Sequence, residues 1–413
     1  MSTNAILRAA FLSSVALCLG LWTVVSVHAQ DVGGDVGGGA GIFRAKNPET
    51  KKSAAKPGTG TKPASRTGGP TRVRPANAER IEELLDKGNE ARDARKFADA
   101  EAAYKDVLKL NPRDARAAYG LGNIYSDQQR WDDAEAAYRN SVTWSPKDAD
   151  AHVALSVVLV QPSAGGDNAK RLADAEMFAR RSVQIDPKNA VGWDRLGVAL
   201  QARGLLNSET EHSYRRAIEI DPQFAVAYAH LARMLNRSGK PAEAAPLYEK
   251  AIELAKDPAT LNLIADSLQG EQLWPQSEPV LKRALELDPN NLTSLLLMGR
   301  YLIVYRKFQE AEPYLKSATE VASGAFQPFN LLGRAYLGMD RFSDAEATYE
   351  RASTLAASAQ KKQLAGMFGF EGVGDGYLKS NQKDKAVRAY QRALELDPSN
   401  NGAAQKLAKA RAN

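Results

Sequence analysis

Cysteine is almost missing from this 413-residue chain, which has a single one, Cys18. One thiol builds no disulfide framework, so stability must come from packing. Histidine is nearly as scarce: His28, His152, His212 and His230 are the four, widely separated and without a second ligand at helical spacing. That leaves no metal site to expect. No Ser, His and Asp set stands out, and Gly372-Val373-Gly374-Asp375-Gly376 follows no strand, which removes the phosphate-loop reading. No cofactor and no catalytic residue are therefore expected. Glycine and proline are dense before about residue 80 and sparse after it, so the chain divides into a leader, a low-complexity stretch and a long regular body.

The leader, residues 1–29, carries one cation, Arg8, then an uncharged run from Ala9 to Val27 that ends in Val27-His28-Ala29 before Gln30. Small or apolar residues three and one before the cut are the pattern of a secretory signal peptide. The expected setting is export, periplasmic or extracellular. The apolar run also reaches the ~18 residues that span a bilayer, so an N-terminal membrane anchor is the alternative. Bulky Leu17 precedes Cys18, which argues against lipidation.

Residues 30–78 are rich in Gly, Pro, Lys, Thr and Ser, with too few apolar side chains to bury, and read as a disordered basic linker. Nine cations, among them Arg44, Lys46 and Lys51, stand against Asp31, Asp35 and Glu49, a net of +6. The whole chain is also +6, and Arg8 adds one more, so residues 79–413 sum to −1. A body so balanced lacks the clustered cations that neutralise phosphates, and no specific nucleic acid is expected. The basic stretch suits contact with a membrane or cell wall through residues 1–78, which gives a second reading of the chain as a spacer. The sequence leaves the oligomeric state open.

From residue 79 the chain repeats itself. Pro112 and Pro146 are 34 residues apart and Pro187 and Pro222 are 35 apart, each closing a similar segment. Ala118, Leu121-Gly122, Tyr125, Ala134, Tyr138, Ser141 and Pro146 return in a later repeat as Phe329, Leu332-Gly333, Tyr336, Ala345, Tyr349 and Ala352. Apolar residues recur at three and four within each half, which gives a helix one buried face. Each repeat is thus a helix pair that buries its surface only against neighbours. Gly122, Gly197, Gly299, Gly333 and Gly374 mark close approach between paired helices, facing small residues such as Ala134 and Ala345. Asp114, Asp148, Asn189 and Asn291 are placed to cap first helices, and Ser343 with Glu346 has capping-box spacing. Gln161 to Asp167 reads as an exposed loop in the third repeat. Trp274-Pro275 with Pro279, and Ala356 to Gly366, mark kinks or register changes.

This pattern resembles the tetratricopeptide repeat (TPR) family over residues 79–400. The resemblance implies an all-α fold, a right-handed α-solenoid of about nine helix-turn-helix repeats, with residues 401–413 as a C-terminal capping helix. It further implies a non-catalytic protein-binding scaffold whose first helices line a groove for a protein or peptide partner. Positions that commonly face such a ligand are Asn89, Asn123, Arg233, Asn236, Asn262, Arg300, Asn330 and Arg334. An Asn amide both donates to and accepts from an extended backbone, and Arg offers a planar donor fork to carboxylates. The carboxylate clamp of chaperone-binding members needs a cation where this chain has Leu85.

Overall fold

A computed structural model describes residues 45–50, 75–163 and 167–412. The leader and most of the linker, including both readings placed on residues 1–29, lie outside the described residues. Among those described, the chain is all-α, an α-solenoid class of paired helices without strands. The described residues form two compact units, divided between Ile264 and Ala265.

The first unit holds α1 (Pro75–Asp93) with α2 (Phe97–Leu110), α3 (Ala115–Asp127) with α4 (Trp131–Trp144), and α5 (Ala149–Leu159) with α6 (Asn168–Ile185). It continues through α7 (Ala190–Ala202) with α8 (Ser208–Ile220), and α9 (Ala225–Arg237) with α10 (Pro241–Leu254). The division falls inside α11 (Pro258–Gly270). The second unit holds α12 (Trp274–Leu287), α13 (Leu292–Val304) with α14 (Phe308–Val321), and α15 (Phe326–Gly338) with α16 (Phe342–Leu355). Then α17 (Ala359–Leu364) runs through a π-helical turn, Ala365–Phe370, into α18 (Glu371–Lys379), followed by α19 (Lys383–Leu396) and α20 (Asn401–Ala412). The six-residue π turn sits at the junction where the sequence showed extra residues, and such a turn absorbs an insertion without ending the helix.

Local chemistry explains the boundaries. Asp114 accepts from the Arg116 and Ala117 amides, Asp148 from Ala151, Asn189 from Gly192 and Asn291 from Ser294, each satisfying an orphan donor of a first helix. Ser343 is not a cap. The α16 helix starts one residue earlier, after Arg341, which makes no side-chain cap bond. Pro275 occupies the first turn of α12, where its missing amide costs nothing, and α12 continues through Pro279.

The turn inside most repeats follows one geometry. Arg95, Gln129, Gln272, Arg306, Asp340 and Asn381 have φ between 56° and 62°, and Gly204 and Gly239 take the same role at 79° and 76°. In the second repeat the Arg130 amide donates to Tyr125 O at 2.8 Å across this left-handed residue, the closure of a Schellman motif. The third repeat departs from it. There Arg171, 8% exposed, donates Nη1 to Gln161 O at 2.7 Å and ties the start of the longer loop to α6.

Inside each pair the recurring glycines do a different job from facing alanine. A Cβ on Gly122 would lie 2.5 Å from the Tyr138 ring, and one on Gly197, Gly333 or Gly374 would strike Tyr214, Tyr349 or Tyr390. The glycine makes the slot for the second helix's tyrosine, which is buried in every case. In the seventh repeat Leu315 fills the slot at Gly299.

Candidate functional site

The first helices of the first two repeats, α1 and α3, present matched amides. Asn89 and Asn123 are 34 residues apart, and each is followed fifteen residues later by a tyrosine of the paired helix. Tyr104 Oη donates to Asn89 Oδ1 at 2.7 Å and Tyr138 Oη to Asn123 Oδ1 at 2.8 Å. Burial pushes both phenols well above their ordinary range, so they stay protonated and donating. With Oδ1 engaged, each Asn is left with its Nδ2 donors to offer.

Both donors have an occupant. Asn123 Nδ2 donates to Lys46 O at 2.9 Å, and Asn89 Nδ2 donates to Pro48 O at 3.0 Å. Ala45–Thr50, inside the stretch read as linker, lies along α1 and α3 without regular secondary structure. Ala45, 7% exposed, joins the apolar cluster that contains Tyr119 and Tyr138. Pro48 is also buried.

Arg92 lies at the centre, one helical turn after Asn89 and 1% exposed. Its Nε and Nη2 donate to the Asp127 carboxylate at 2.7 and 3.1 Å, a bidentate pair. Its Nη1 donates to Ala45 O at 2.7 Å and to Asn47 Oδ1 at 2.9 Å. Burial works against the guanidinium's charge, but the hydrogen bond and charge of Asp127 outweigh it and hold the group above its usual value. Asn47 Nδ2 in turn donates to Asp93 Oδ2 at 2.9 Å. At the other end Arg116 Nη1 donates to Glu49 O at 3.3 Å while it pairs with Glu82 at 2.9 Å.

The segment therefore runs antiparallel to both helices. Its start meets Arg92, which Asp127 holds near the C-terminus of α3, and its end meets Arg116, which pairs with Glu82 nearer the N-termini. The ten residues from Glu82 to Arg92 rise about 15 Å, which five extended residues match at about 3.3 Å each.

The remaining candidate residues lie in later repeats. Arg233 and Asn236 are half-buried on α9, and Asn262 on α11 is buried. In the second unit Arg300 donates Nε to Gln269 Oε1 at 2.7 Å and Nη2 to Asp266 Oδ1 at 2.8 Å, so part of its fork is committed within the array. Arg334 is exposed on α15, at the position fifteen before Tyr349. That tyrosine's hydroxyl and Asn330 Oδ1 are buried with no hydrogen-bond partner among the described residues. Leu85 is wholly buried core. The residues missed from sequence are Arg92, Asp93 and Asp127. Asp93 and Asp127 occupy one repeat position, 34 residues apart, and this register could have revealed them. Among the described residues no group of three or more His, Cys, Asp or Glu is arranged to hold a metal ion, and no helix is long and apolar enough to cross a membrane.

Paired helices with a donor-lined first-helix face define a helical-repeat interaction scaffold. Tetratricopeptide repeat family models match residues 85–149, 224–257, 327–358 and 369–400, and the chain is a tetratricopeptide-repeat protein. No curated protein matches it. Among solved structures it is similar to the MamA protein at 24% identity, covering 43% of this chain and 92% of that one with a TM-score of 0.36. A chain of the APC/C hetero-tetramer Cut9-Hcn1 is similar at 15% identity over 81% of this chain and 62% of its own, with a TM-score of 0.46. TTC0263, a thermophilic TPR protein in Thermus thermophilus, aligns at 21% identity over 46% of this chain and 99% of its own, with a TM-score of 0.39.

Proposed function

We propose that this chain is an exported, non-catalytic scaffold that holds an extended peptide of a partner protein along its first helices, within an exported or envelope complex. The observation that supports this most is the pair of tyrosine-oriented amides, Asn89 and Asn123, each donating to a backbone carbonyl of an extended segment. Such contacts read main chain, which every peptide offers, while residues such as Arg92 add selectivity. The leader pattern of residues 1–29 supports the exported setting.

The test has two arms. Cell fractionation is expected to place the protein in the envelope or outside the cell, and a purely cytoplasmic protein would sink the exported setting. An immobilised array of unstructured peptides is expected to retain a variant whose residues 45–50 are replaced by Gly and Ser, which leaves the face open, with retention falling severalfold when Asn89 and Asn123 also become Ala. Each lost hydrogen bond contributes about 1 kcal/mol, near fivefold. Retention that ignores both substitutions would favour the spacer reading, in which residues 1–78 act on a membrane or wall.

A further inference from the structure

We infer that the face of the first two repeats is specific for a peptide with a small residue, any residue, then Asn-Pro, and that residues 45–50 of this same chain are its resident occupant, which an external peptide must displace. The inference rests on the peptide-holding reading above and deepens it by naming the ligand's sequence class and what gates access.

Specificity follows from what each position meets. Asn47 is read from both ends of its amide: Arg92 donates to Oδ1 at 2.9 Å, and Asp93 accepts from Nδ2 at 2.9 Å. An aspartate there would set a carboxylate against Asp93, a leucine would satisfy neither partner, and a glutamine would carry its amide one methylene too far. Ala45 is buried against the cluster with Tyr119 and Tyr138, so a larger side chain would have to push that packing aside. The Lys46 side chain is exposed, and only its carbonyl is used. Pro48 is buried and biases Asn47 toward the extended backbone that the face requires.

Occupancy follows from connection. Only residues 51–74 separate the segment from α1, a tether of 24 residues, and an attached ligand acts at an effective concentration on the order of millimolar. A free peptide of the same sequence with an intrinsic Kd of about 50 μM then binds roughly twentyfold more weakly to the intact chain than to one whose segment is disabled. Arg92 reinforces this arrangement. Its buried Nη1 has Ala45 O and Asn47 Oδ1 as acceptors, so a displacing peptide must replace both.

The experiment is fluorescence anisotropy with a labelled peptide of the sequence of residues 43–52, titrated with two full-length proteins. One is the unaltered chain, and the other carries Ala45→Arg and Asn47→Asp, changes that lie in the segment and leave the repeats untouched. The altered chain is expected to bind at least tenfold more tightly. It is also expected to prefer this peptide at least tenfold over one in which the residue matching Asn47 is Asp. Equal affinity of both chains would overturn resident occupancy and leave the peptide-holding reading standing. Indifference to the Asp change would overturn the Asn specificity, and no binding by either chain would overturn both the inference and the reading beneath it. Sedimentation of the unaltered chain as a dimer that the altered chain does not form would overturn occupancy by the same chain, placing the segment on a second copy.

Discussion

Tyr138 and Asn123 form a relay: the phenol donates to Oδ1 at 2.8 Å, and the amide it orients donates from Nδ2 to Lys46 O at 2.9 Å. One bond is inside the repeat and the next is outside it. Recognition is thus built on core packing, because the ring that fixes the amide is also the ring that fills the slot at Gly122.

Tyr138→Phe keeps the ring and removes the relay. The expected loss is about 1 kcal/mol in global stability, together with faster hydrogen exchange of the amides in residues 45–50. Thermal melting with exchange mass spectrometry checks both. Unchanged exchange there would mean that Asn123 needs no orienting partner.

Gly122→Ala and Gly120→Ala probe the slot directly, since their Cβ atoms would lie 2.5 Å from Tyr138 and Tyr104 ring carbons. Each is expected to cost about 1–3 kcal/mol through forced shifts of a packed ring. Gly270→Ala is the control, with nothing within 4 Å of its Cβ, and is expected to be neutral or stabilising by up to about 1 kcal/mol. Urea denaturation of the three variants decides it, and equal costs at all three positions would refute the slot.

For the pair of buried Arg92 and partly exposed Asp127, Arg92→Met alone is expected to cost about 2–4 kcal/mol, while Arg92→Met with Asp127→Met recovers only part of it, because the lone charge is gone but Ala45 O and Asn47 Oδ1 still lack their donor. Arg92→Lys is expected to behave more like the single loss than like a conservative change, since an ammonium has no fork for Asp127. A double-mutant cycle by denaturation measures the coupling, and additive losses would show that the two side chains act separately.

His152 sets a pH dependence. It is 5% exposed, and burial holds its imidazole below the ordinary 6.5, assisted by the charge of Arg181. The unfolded chain therefore takes up a proton near pH 6.5 while the folded one resists it. Its contribution to stability is fully present above that pH and falls as pH drops toward the folded value, by at most about 1.4 kcal/mol per pH unit. His152→Phe is expected to flatten the profile between pH 7 and 5. Parallel profiles for the two proteins would remove His152 as the cause.

The repeat architecture was legible because each helix boundary is written locally: Asp114 or Asn189 as cap, a proline after the second helix, apolar residues at three and four. The Asn positions were legible through repeat register. Arg92 was not, because its acceptors come from Ala45 and Asn47, 47 and 45 residues away in a stretch whose composition carries no periodicity. The glycine slots were half legible. Small residues were evident at those places, but their partner was the tyrosine, whose ring reaches across the pair and not merely to the nearest backbone.

The contact between Asn123 and Lys46 spans 77 residues of chain, whereas the tyrosine-to-asparagine bonds inside the repeats span 15. Closing so long a loop carries more entropy cost than pairing adjacent helices, so segment 45–50 is expected to dock after the first repeats have folded, when only the 24-residue connection to α1 remains to be closed. By the same reasoning it is among the first parts to open, as a local event that leaves the helices paired. The array thus has an opening step with its own free energy, separable from the melting of its helices.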